Sequence, residues 1–205
     1  MDTRGGTLCL LTTLVCFVNG TASWGQTYNP TSSDPTTQNT AGGTGALPSN
    51  SGTRNTGFGF TALGSNTTGQ RNTATGGDAL RSNTTGFANT ASGVQALQVN
   101  TTGQRNTALG VQALLNNTTG SNNTALGYTA LLAGTGSRNT ALGWGAGSSL
   151  DSGNDNIYLG HPGAASESKT MRLGTPSLQT RVFMAGIAGM PVSGSQVLIN
   201  GQGQL

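Results

Sequence analysis

The side chains that could do acid–base or nucleophilic chemistry are few and scattered. One histidine, His161, sits in a Gly-His-Pro-Gly turn, and the single lysine, Lys169, directly follows Ser168. Nucleophilic catalysis needs a base held against the hydroxyl or thiol it activates, and sequence adjacency of Ser168 and Lys169 does not build such a pair. A lone histidine without clustered Cys, Asp or Glu partners has no metal-ligand spacing. Gly-Gly-Thr-Gly lacks the Lys-Ser/Thr of a phosphate-binding loop. The Gly-Gly-x-Gly-x-Asp calcium nonapeptide is also missing. These residues point away from an enzyme, and no cofactor or metal is expected.

The remaining chemistry is that of recognition. Arg54, Arg71, Arg105 and Arg138 fall in one column of a repeat, interrupted by Ala88 and Asn122. Such a sparse basic stripe suits anionic glycans, or serves as a charged edge that resists strand-to-strand aggregation. It contains no basic run with interleaved aromatics, so nucleic acid is not an expected partner. Asn-Thr-Thr is formally a glycosylation acceptor, as at Asn66 and Asn100. Repetition accounts for it equally well.

What must position these residues is a repeat. Asn55, Asn72, Asn89, Asn106, Asn123, Asn139 and Asn156 lie 17 apart, with one step of 16. Gly59, Gly76, Gly93, Gly110, Gly127, Gly143 and Gly160 keep the same steps. An Ala-Leu pair and an Asn-Thr-Thr-Gly motif recur in phase between them. A period this short is below that of two-helix repeats, and its Gly, Asn and Thr content opposes helix. The expected fold is all-β: a parallel β-solenoid of about 17-residue coils over residues 54–160, with two short extended segments per coil. Asn columns would form hydrogen-bonded ladders and Thr columns would pack in register. Gly columns would supply left-handed turn positions.

The strand faces follow from the later coils. Ile157 and Leu159 flank Tyr158, and Met171 and Leu173 flank Arg172. By analogy, Thr107 and Leu109 should face inward, and Ala108 should face outward or meet a neighbour. The Ala-Leu column then offers an apolar stripe for sister chains, which a thin rod needs: two to four buried apolar groups per coil contribute little against roughly 1–2 kcal/mol of backbone entropy per ordered residue.

Composition agrees. The chain has 205 residues, 34 of them glycine, with 7% charged and a net charge of +3. That is too few aliphatics for one compact core and too little charge for typical disorder. Residues 1–25 read as a signal peptide, with an apolar Thr7–Val18 too short to span a bilayer. Cys9 and Cys16, the only cysteines, lie within it. No transmembrane segment is expected after it. Residues 26–53, rich in Pro, Thr and Ser, read as an extended leader. Residues 161–205 read as narrower coils followed by a joining segment, since Gly160 to Gly174 is a step of 14.

The repeated Asn-Thr-Ala-Leu-Gly resembles the head repeats of trimeric autotransporter adhesins (YadA-like), aligned so that Thr107-Ala108-Leu109-Gly110 falls on the Val-Ala-Ile-Gly of that family. The stretch from Asn156 onward resembles the segment that precedes an endosialidase-type intramolecular chaperone in tail-fibre-like surface proteins. No residue here matches that domain's catalytic positions. The resemblance implies a left-handed parallel β-roll, a homotrimer, and a secreted or surface-exposed adhesive role toward cells, matrix or glycans. The runner-up is a monomeric solenoid that binds ice or another regular surface. Against it, Asn-Thr-Thr in an extended strand would place its two threonines on opposite faces. A truncated product of a larger self-cleaving fibre protein is the other alternative.

Overall fold

The computed structural model describes residues 32–34, 37–48, 51–175 and 178. The chain divides into two units, Met1–Thr175 and Pro176–Leu205, and the fold described here belongs to the first. The expected signal peptide lies outside the described residues, as does most of the expected joining segment.

Among the described residues the structure is all-β and without helix. The strands are β1 (Ser32–Asp34), β2 (Asn39–Gly42), β3 (Thr56–Phe58), β4 (Thr73–Thr75), β5 (Thr90–Ser92), β6 (Thr107–Leu109), β7 (Thr124–Leu126), β8 (Thr140–Leu142), β9 (Ile157–Leu159) and β10 (Met171–Leu173). They form one sheet in sequence order. β1 pairs antiparallel with β2, and every later neighbour pairs in parallel. In β6 and β7, Thr107 lies against Thr124 and Leu109 against Leu126. The molecule is therefore a parallel β-solenoid, its nine parallel strands stacked over about 38 Å at the usual strand spacing.

Three expectations need correction. First, each coil carries one strand of three or four residues, not two extended segments. The Ala-Leu half of each coil is a chain of turns, because Leu63, Leu80, Leu97, Leu114 and Leu131 all sit at φ between 50° and 54°. That left-handed kink turns two successive side chains inward. Ala113 and Leu114 are both buried, as are their counterparts in neighbouring coils. The Ala-Leu column is therefore the core, not a stripe offered to a partner.

Second, the strand faces are reversed. Ala108 is buried, Leu109 is exposed and Thr107 is half-buried; Tyr158 is buried between an exposed Ile157 and a half-buried Leu159. The preceding asparagine sets this parity. Asn106 points inward to bond, so alternation puts Thr107 out, Ala108 in and Leu109 out. The interior left by one Leu per coil is narrow enough that Gly or Ala occupies the strand centre in every coil from Ala41 to Ala141.

Third, the solenoid begins inside the expected leader. Thr40, Ala41 and Gly42 pair in register with Thr56, Gly57 and Phe58, and Ala41 and Ala46 are buried.

At the other end Tyr158 replaces the small strand-centre residue, and the next coil shortens to 14 residues. The Tyr158 hydroxyl donates to Glu167 Oε1 at 2.9 Å, and Arg172 binds the same carboxylate through Nε and Nη2 at 2.9 and 2.7 Å. This cluster plugs the core where the leucine column stops.

Candidate functional site

Two asparagine columns hold the coils in register. In the first, each side chain spans two coils: Asn106 Oδ1 accepts the Asn123 backbone N–H at 2.9 Å, and Asn106 Nδ2 donates to the Gly120 carbonyl at 2.8 Å. The second contact closes the coil and the first carries the ladder to the next. The pattern holds at Asn55, Asn72, Asn89, Asn123, Asn139 and Asn156. It begins one coil earlier than sequence spacing showed, at Asn39, whose Oδ1 accepts from Asn55 N at 2.7 Å. Most rungs are therefore side chain to backbone. Direct amide-to-amide bonds join only some neighbours, such as Asn156 Nδ2 to Asn139 Oδ1 at 3.0 Å.

The second column is amide to amide. Asn83, Asn100 and Asn117 each donate from Nδ2 to the preceding Oδ1, at 2.6, 2.8 and 2.9 Å. Asn66 and Asn100 are buried, so the formal glycosylation acceptors are not presented in the folded coil. The column stops at Asn117, whose buried Oδ1 has no partner. The next coil has Gly134 at that position, with no side-chain amide to offer.

The glycine column requires its residue. Gly76 has φ 129°, and a Cβ there would lie 2.7 Å from the Gly93 carbonyl carbon and oxygen. Gly160 differs: its φ is 59°, far from the 129° of Gly76, and a Cβ there would meet nothing within 4 Å.

Three surfaces face solvent. The third strand position and the second residue after it form an apolar face: Leu109, Leu126 and Leu142 beside Val111, Tyr128 and Trp144, all exposed, Trp144 by 79%. Sequence reasoning missed this face because it assigned those leucines to the core.

The second surface is threonine. Thr68, Thr85, Thr102 and Thr119 are exposed, and of their neighbours Thr67 and Thr118 are exposed while Thr84 and Thr101 are half-buried, so the two threonines of each Asn-Thr-Thr are not divided between one buried and one exposed side. These residues lie in bends rather than an extended strand, which removes the alternation that expectation assumed.

The third surface is the basic stripe. Arg54, Arg71, Arg105 and Arg138 are exposed and share a left-handed backbone, φ 53° to 60°. Their surroundings differ. Arg54 Nε donates to Gln38 at 2.9 Å. Arg138 is neutralised by Asp155, bound through Nε and Nη2 at 2.6 and 3.0 Å, which lowers the Asp155 pKa and raises that of Arg138. The Arg105 guanidinium lies over the Phe87 ring, 5.2 Å from its centroid. Arg71 makes no ion pair or side-chain hydrogen bond among the described residues, and it lines a surface cleft of about 320 Å³ with Thr68, Gln70, Thr85 and Phe87.

The residues first considered for catalysis are dispersed. His161 Nδ1 accepts the Gly163 N–H at 2.8 Å, which closes the Gly-His-Pro-Gly turn. Burial and the nearby Arg172 charge lower its pKa, outweighing the opposing pull of Glu167. Ser168 Oγ accepts the Asn154 N–H at 3.0 Å, while Lys169 points to solvent. Among the described residues no three His, Cys, Asp or Glu side chains gather as metal ligands, and no helix is long and apolar enough to cross a membrane. Comparison with protein-family models, with curated proteins and with solved structures finds no match for this chain.

Proposed function

We propose that this chain is a non-enzymatic, secreted or surface-exposed adhesive repeat module that works as a homotrimer in a fibre head or shaft, contacting cells, matrix or glycans. The apolar face beside the strands carries this reading. It repeats Leu109, Leu126, Leu142 and the exposed Val111, Tyr128 and Trp144 at successive coils, and a contiguous exposed apolar patch marks an association surface. The partner that matches its rise coil by coil is another copy of the same chain. Trimerisation multiplies weak contacts along the remaining surfaces, and linked binding raises avidity by about 10²–10⁴ without new contacts.

The test is adhesion to matrix-coated plates by the chain and by its Leu109→Ser, Leu126→Ser, Leu142→Ser variant. These side chains are exposed, so the coils should keep their circular dichroism while the variant separates into single chains and adheres at least tenfold less. Equal adhesion by the variant, or no adhesion by the parent, contradicts the reading.

A second reading rests on the threonine surface. One exposed column, Thr68, Thr85, Thr102 and Thr119, runs beside a second, Thr67 to Thr118, that is half-buried at Thr84 and Thr101 and whose hydroxyls at Thr67, Thr84 and Thr101 donate to carbonyls of the next coil; together they repeat hydroxyls and methyls at the strand spacing. This favours a monomeric solenoid that binds ice or another ordered surface. Thermal hysteresis of a monomeric chain would support it; a freezing point equal to the melting point would remove it for ice.

A further inference from the structure

Three consecutive coils read Gln70-Arg71, Phe87-Ala88 and Gln104-Arg105 at the same two positions. Stacked ladders favour identical residues above and below one another; the column departs from Gln-Arg here and again at Ser121-Asn122, but only this coil brings in an aromatic ring. Ala88, half-buried, interrupts the arginine column between Arg71 and Arg105. Those two residues are two coil steps apart, roughly 9.6 Å along the stack. Phe87 lines a surface cleft with Thr68, Gln70, Arg71 and Thr85. Arg105 caps the Phe87 ring, and Arg71 keeps its guanidinium free of any carboxylate among the described residues.

We propose that this cleft binds an acidic sugar, with the pyranose ring against Phe87 and its carboxylate or sulfate on Arg71. The inference deepens the adhesive reading and rests on it. An aromatic surface with a few convergent polar groups is the usual make-up of a small-ligand site, and a guanidinium meets a carboxylate or sulfate through parallel charge-assisted bonds. The Thr68 and Thr85 hydroxyls and the Gln70 amide supply donors and acceptors for ring hydroxyls. A nucleic-acid strand fits less well. It needs a track of cations along its phosphates, whereas the next arginine down the column, Arg138, is already paired with Asp155.

The experiment is calorimetric titration of the full chain with three probes of equal length. These are a heparin-derived hexasaccharide, a hexameric oligogalacturonate and uncharged maltohexaose. The central variant is Phe87→Gln with Ala88→Arg, which gives this coil the residues of its neighbours and so should melt like the parent. Binding of an acidic probe but not maltohexaose is expected, weakened at least tenfold in the double variant and in Arg71→Gln, and unchanged in Arg138→Gln. Preference for the heparin fragment assigns the anion as sulfate, and preference for oligogalacturonate assigns it as carboxylate. The proposal is overturned if neither acidic probe binds, if the double variant binds like the parent, or if a single-stranded oligonucleotide displaces the sugar more tightly than either probe binds. A double variant that still adheres to matrix-coated plates while the parent ignores both acidic probes sinks the cleft and leaves adhesion standing. A chain that binds the probe through Arg71 yet adheres to nothing does the reverse.

Discussion

At the scale of single residues, the solenoid is held by polar side chains whose partners lie one coil away, so each position is judged by what the neighbouring coil presents. Gly93 and Gly160 belong to one column but not to one environment. A Cβ on Gly93 would strike the Gly110 carbonyl at φ 137°, whereas one on Gly160 would enter open space at φ 59°. Gly93→Ala should therefore lower stability by several kcal/mol, through a clash added to left-handed strain, and Gly160→Ala by only about 1–2 kcal/mol of strain. Chemical denaturation of the two variants checks this; equal losses would mean that the coils do not stack as described. The second asparagine column makes a prediction of opposite sign. Gly134 N donates to Leu131 O at 3.1 Å, just as Asn117 N donates to Leu114 O, and a Cβ at Gly134 would meet its neighbours at 3.4 Å or beyond. Gly134→Asn can thus reach the unpartnered Asn117 Oδ1 and should stabilise by about 1 kcal/mol, the worth of one added hydrogen bond. A thermal melt that falls instead would show that the column cannot be extended.

At the scale of elements, the columns were legible in the sequence and their facing was not. Asn and Gly recur with a strict period, and their chemistry leaves few roles: one bonds along the stack and the other makes a turn too tight for a side chain. A three-residue strand offers no alternation to read, however, and apolarity points the wrong way. Leu109 looked like core because it is larger than Ala108, but the inward Asn106 fixes the parity and the narrow interior admits alanine. The buried leucine comes from the turn half of the coil, where a left-handed backbone that sequence does not announce folds Leu114 inside. The early start at Asn39 was hidden by a composition typical of linkers, and the facing of the paired threonines by assuming strand geometry in a bend. The plug at β9 and β10 was also missed, although Tyr158, Glu167 and Arg172 were all in view, because their meeting depends on the coil shortening. Burial pushes the Glu167 carboxyl up, but hydrogen bonds from Arg172, Tyr158 and the Ala164 amide outweigh it and hold its pKa below the usual value. Burial, together with the bond to Glu167, pushes the Tyr158 hydroxyl the other way. A carboxyl whose pKa is depressed by folding contributes stability above its unfolded value, about 4.3, and loses it as pH falls through the folded value. The melting temperature should therefore drop as pH falls below about 4.3, and Glu167→Gln should be less stable at neutral pH but flatter across that range. A variant that keeps the full acid sensitivity would place its source elsewhere.

At the scale of the whole molecule, the solenoid buries a slim interior of alanines, one leucine per coil and two asparagine ladders, while larger apolar side chains stand outside. Leu126, Tyr128 and Trp144 are each more exposed than Leu131 or Leu150, which inverts the usual arrangement and leaves an outer face that association would bury. The most direct test of this account is the solution molar mass of the full chain, measured by light scattering after gel filtration. The account predicts three times the mass of one chain, reduced to a single chain when Leu109, Leu126 and Leu142 are changed together to serine. A well-folded single chain, with the strand signature intact and the apolar face in water, would contradict it.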